Sequence, residues 1–153
     1  MVARWKKLYI GYLVGVCDPL KLYIMSSNLW SSYHIMSSDE DQPVVEDLYA
    51  GFDDRMNLVV MIEHTDYVDP EYSCSVSAVV SKEDAFGLSR RLQVSMTRLP
   101  DAIGGFVEEY ADIVNADFAQ VQACFGEITA RFIQEKCSYN IVRRYGKNGF
   151  VCC

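Results

Sequence analysis

The sequence predicts an α+β fold in which two antiparallel β-hairpins, about 57–81 and 138–153, flank three helices, about 81–92, 98–113 and 116–136, packed as a single layer on a sheet. Three observations carry this. The runs "NLVVMIEHT" and "SCSVSAVVS" are rich in β-branched residues and are separated by the polar, proline-containing "DYVDPEY", the pattern of two paired strands. From Phe118 to Ile133 apolar residues recur at helical spacing, the mark of an amphipathic helix. Strands and helices also fall in separate blocks of the chain, which argues against the alternating units of a parallel sheet.

At 153 residues, half of them apolar or aromatic, the chain has one domain's length and enough apolar surface for a core without staples. Its opening, "MVARWKKLYIGYLVGVCDP", places Arg4, Lys6 and Lys7 before an uncharged run from Leu8 to Cys17. This has the outline of a signal peptide but no small-residue cleavage site, and the run is too short to span a bilayer. Composition changes abruptly at "HIMSSDEDQP". Residues 1–35 therefore read as an N-terminal extension that need not belong to the fold, and 36–153 as a single α+β domain.

Between Pro43 and Phe52 the spacing of Val44, Val45, Leu48 and Phe52 predicts a short helix. The first hairpin follows, and its register can be deduced. Leu58, Val60, Ile62 and His64 share one file, and Cys74, Val76, Ala78 and Val80 another. Side chains alternate with period two, so burying one face requires even-numbered residues to oppose even-numbered ones. A turn centred on Asp69 sets residue 62 opposite 76 and residue 64 opposite 74.

Ser81 and Asp84 have the spacing of a capping box at the start of the first helix, whose Ala85, Leu88 and Leu92 share a face. Pro100 suits the first turn of the second helix, and Gly104-Gly105 is a soft spot within it. In the third, Phe118, Val121, Cys124, Phe125, Ile128, Phe132 and Ile133 form one stripe, which marks it as the core helix. "SYNIVRRY" and "FVCC" then flank Asn148-Gly149, a pair suited to a two-residue hairpin turn. That turn would set Tyr145 opposite Cys152 and Arg144 opposite Cys153. The two terminal thiols would then point to opposite faces, as strand ends do rather than as two ligands of one ion. A terminal Cys-Cys also occurs in prenylated GTPases, but the chain has no GxxxxGK[ST] phosphate loop.

The six cysteines form no CxxC pair and there are only two histidines, so the reading is of reduced, mostly buried thiols, no metal and no cofactor. Charge is uneven. Residues 36–71 hold eleven acidic side chains and one basic, whereas 130–153 hold five basic and one acidic, within a net charge of -7. Polarised surfaces steer charged partners. With no catalytic motif in view, the function expected is that of a small, acidic, soluble, cytoplasmic module that binds another protein, as an inhibitor, an immunity-type protein or an accessory subunit. Membrane attachment is not expected, and the oligomeric state is left open.

Two alternatives come from other classes. His64 opposite Cys74 could make a thiol-dependent enzyme, since an oriented imidazole can generate a thiolate. Arg143, Arg144 and Lys147, interleaved with Tyr139 and Tyr145, could contact nucleic acid, although the overall negative charge opposes it. The same Arg143, Arg144, Lys147 and Tyr145 are the candidate contact residues of the protein-binding reading.

Overall fold

The computed structural model describes residues 29–146. Five strands, β1 (Trp30–Ser37), β2 (Val44–Phe52), β3 (Leu58–Asp66), β4 (Cys74–Val80) and β5 (Tyr139–Arg144), form one sheet in sequence order, every neighbour antiparallel. Three α-helices, α1 (Lys82–Arg91), α2 (Leu99–Gly105) and α3 (Phe118–Gln134), occupy the connection from β4 to β5. The fold is α+β, with helices layered on a sheet. The first predicted hairpin and the one described strand of the second, β5, belong to this single sheet, because β5 lies directly against β4. The Asn148-Gly149 turn and the strand expected after it lie outside the described residues.

The deduced register of the first hairpin is the observed one: Ile62 pairs with Val76 and His64 with Cys74. Leu58, Val60 and Ile62 of β3 face the helices, together with Leu48, Ala50 and Phe52 of β2 and Val76 and Val80 of β4. They pack there against Leu88, Ile103, Val121, Ile128 and Phe132. The expected core helix is α3, and Val121, Cys124, Ile128 and Phe132 of the predicted stripe are buried in it. Phe118 and Ile133, at its two ends, stay partly exposed.

The segment after Pro43 is strand β2, not the short helix that the spacing suggested. The reason lies in burial on both faces. Val45 and Leu48 are both buried although they point to opposite sides of the sheet, and so are the adjacent Glu46 and Asp47. A strand covered on both sides loses the alternation that identifies it.

Strand β1 takes in residues 30–35, so the composition break at Met36 is not an edge of the sheet. Register shifts between Trp30 and Tyr33 and between His34 and Met36, with a positive φ at Ser31, interrupt its period-two pattern. The helix expected over 98–113 stops early. Helix α2 ends at Gly105 and is followed by a separate 3-10 turn, Glu108–Tyr110. Gly104 allows close packing there, since a β-carbon at that position would collide with the Tyr33 ring of β1.

Candidate functional site

The register brings His64 and Cys74 together, but not as a nucleophilic pair. Cys74 is disulfide-bonded, so it offers no thiol, and the expectation of uniformly reduced cysteines fails at this position. Spacing rules detect near neighbours such as CxxC, and a link between cysteines distant in sequence leaves no such trace. His64 is oriented from the other side, where its Nδ1 lies 3.3 Å from Glu46 Oε1 on the paired position of β2. The Phe118 ring meets the imidazole edge-on, with centroids 5.5 Å apart.

Glu46 is the residue that sequence reasoning missed here. It is fully buried, Gln122 of α3 approaches the same Oε1 at 3.5 Å, and Oε2 has no hydrogen-bond partner among the described residues. Its backbone is anchored as well: the Glu46 N–H donates to Ser38 Oγ at 2.9 Å and its carbonyl accepts from the Ser38 N–H at 2.8 Å. Reading β2 as a strand would have found it, because residue 46 falls in the same even file as Leu48.

The opposite face of the sheet carries a second polar group. One row crosses all five strands through Ser37, Asp47, Glu63, Ser75 and Arg144. Within it Ser37 Oγ donates to Asp47 Oδ1 at 2.5 Å, while His34 Nε2 lies 2.8 Å from the same hydroxyl and 3.1 Å from the same carboxylate oxygen. The residue types are those of a serine hydrolase triad, but the geometry is not. A triad places the imidazole between carboxylate and hydroxyl, one ring nitrogen to each. Here a single nitrogen meets both, and the serine bonds directly to the aspartate, so histidine does not activate it. Beside this group the Tyr67 hydroxyl is held neutral well above its ordinary range, first by burial and then by the carboxylates of Asp47, Glu63 and Glu40.

The basic candidates sit at the far edge of the sheet. Arg143 pairs with Val76 and Arg144 with Ser75, so the two side chains leave on opposite faces. Ile141, Val142 and Tyr145 are exposed beside them, and Lys147 lies outside the described residues, as do Cys152 and Cys153. The arginines are therefore not gathered into one patch; what the strand presents is a mixed apolar and basic edge.

The remaining described thiols, Cys124 and Cys137, are free and buried, and burial raises the pKa of both. Among the described residues no group of three or more His, Cys, Asp or Glu side chains could hold a metal ion, and no helix is long and apolar enough to cross a membrane. Comparison with protein-family models, with curated proteins and with solved structures found no match.

Proposed function

We propose that this protein is a binding module that receives an extended, acidic segment of another protein along the outer edge of β5. One observation carries the reading. Among the described residues β5 has a strand neighbour on one side only, and Ile141, Val142, Arg143 and Tyr145 along it are all exposed. An edge strand offers unpaired backbone groups to an added strand, and its side chains then set specificity. Apolar residues beside arginine suit a partner that alternates apolar and acidic residues.

The acidic stretch is a weaker candidate surface, because its carboxylates build the protein's own turns. Asp53 Oδ1 accepts from the Arg55 and Asn57 backbone N–H groups at 2.9 Å, and Asp66 Oδ1 accepts from those of Val68 and Asp69 at 2.9 Å. The thiol-enzyme alternative lacks its nucleophile while Cys74 stays bonded. The test is NMR titration of the protein with a peptide alternating valine and glutamate. Shift changes concentrated on 139–145, weakened by salt and by Arg143→Glu, are expected. Changes centred elsewhere, or a stronger response to single-stranded oligonucleotide than to the peptide, would refute it.

A further inference from the structure

We propose that the sheet face turned away from the helices is the docking surface for the basic N-terminal stretch of the same chain, residues 1–28. The first support is burial. Val45 and Val59 are 1% and 5% exposed, yet neither belongs to the cluster formed with the helices. Asp47, Glu63, Thr65, Ser75 and Ser77 on the same face are buried too. An antiparallel sheet with one face in water places solvated side chains there. This face is instead withdrawn from water, and the described helices all pack on the other one.

The second support is where the described chain begins. Leu29 sits over Gly51, close enough that a β-carbon on Gly51 would lie 2.7 Å from Leu29 Cβ and 3.1 Å from the Trp30 carbonyl oxygen. Gly51 pairs with Val59 and belongs to the odd-numbered file of β2, the file of Val45 and Asp47. The residue that follows the N-terminal stretch is thus already lying on this face, and glycine leaves it room.

Charge and length agree. The face holds Asp47 and Glu63, with Glu40 near enough to act on Tyr67, and residues 1–28 hold Arg4, Lys6, Lys7 and Lys21 against the single acid Asp18. Opposite charges brought out of water attract more strongly than at a wet surface. The uncharged run from Leu8 to Cys17 supplies apolar atoms for Val45 and Val59. Five strands are about 19 Å wide at 4.8 Å spacing, and ten residues reach up to about 33 Å, so the stretch is long enough to cross the sheet. The consequence is functional as well as structural: the buried part of the row, Asp47, Glu63 and Ser75, is an internal seam of the protein, and a partner could reach it only by displacing the protein's own N-terminal residues.

Two measurements on the full-length chain test this. In the unaltered protein, carbodiimide should join Lys6, Lys7 or Lys21 to Asp47, Glu63 or Glu40, as read by peptide mass spectrometry. In a Ser77→Cys variant, residue 77 should react with maleimide slower by about tenfold or more than in urea, as opening of a docked segment requires. Adding Arg4→Glu, Lys6→Glu and Lys7→Glu should restore most of that rate. Fast labelling of the folded chain, protection that survives charge reversal, protection lost on dilution, or cross-links to these carboxylates from Lys147 instead would each overturn the proposal. The cross-linking arm needs no variant and so stands even where charge reversal impairs folding.

Discussion

Cys124 shows how burial sets chemistry at a single residue. Its thiol is pushed up to about 12, chiefly by desolvation and further by the carboxylates of Glu127 and Glu109. Tyr110 is pushed up to about 12 as well, because its hydroxyl donates to Glu127 Oε1 at 2.8 Å. In both cases folding favours the neutral form. The unfolded thiol ionises near 9.0, so between there and about 12 the native state holds more protons than the unfolded one. Stability contributed by these groups is therefore complete at neutral pH and falls as pH rises through that window. Urea midpoints at pH 8, 9.5 and 10.5 should decline on the alkaline side, and the decline should be shallower in Cys124→Ala. An unchanged slope in that variant would remove Cys124 from the account. Iodoacetamide at pH 8 should likewise modify Cys124 only after unfolding. Glu46 is buried too, and its side chain meets few polar groups: His64 Nδ1 lies 3.3 Å and Gln122 Nε2 3.5 Å from its Oε1.

At the scale of elements, the helix starts are where local sequence acts most directly. Asp117 caps α3 in full, its carboxylate accepting from the Gln120 N–H at 2.8 Å while the Gln120 side chain accepts from the Asp117 N–H at 3.0 Å. Replacing Asp117 by alanine removes the acceptor of the Gln120 N–H and should cost about 1 kcal/mol in urea unfolding. Asparagine, which keeps an acceptor oxygen, should cost less. Equal losses would mean that the carboxylate acts through charge alone.

The cap at Ser81 was legible, yet only half of the box forms. Ser81 Oγ accepts from the Asp84 N–H at 3.2 Å, whereas Asp84 Oδ2 turns to the Ser138 N–H at 3.1 Å and ties α1 to the start of β5. That contact spans fifty-four residues, and no local pattern contains it. The same limit explains the rest. The β3–β4 register could be deduced because both strands keep one apolar file, but β2 hides its file by being buried on both faces, and β1 hides it with two register shifts. Hence Cys74 and His64 were found, while Glu46, Asp47 and His34, which sit on those two strands, were not.

At the scale of the whole molecule, sequence order and spatial order coincide across the sheet, so the charge asymmetry of the chain becomes an asymmetry of the protein. The acidic residues 39–71 lie in β2, β3 and the turns beside them, and Arg143 and Arg144 lie on β5 at the edge opposite β1. The same order places β1 at the end of the described sheet. Its Tyr33 ring occupies the space left by Gly104 of α2, its His34 meets Asp47 and the Tyr49 ring, and its backbone pairs the outer side of β2. A chain beginning at Met36 keeps two of the eight residues of β1 and leaves the edge of β2 from Tyr49 to Phe52 open to water. Losing several packed side chains and a run of strand hydrogen bonds should lower the melting temperature by about 10 °C or more, relative to a chain beginning at Leu29. Comparing those two chains isolates β1, because both lack residues 1–28. Coincident melting curves would mean that β1 adds nothing to the cooperative unit, and that the sheet proper begins at β2.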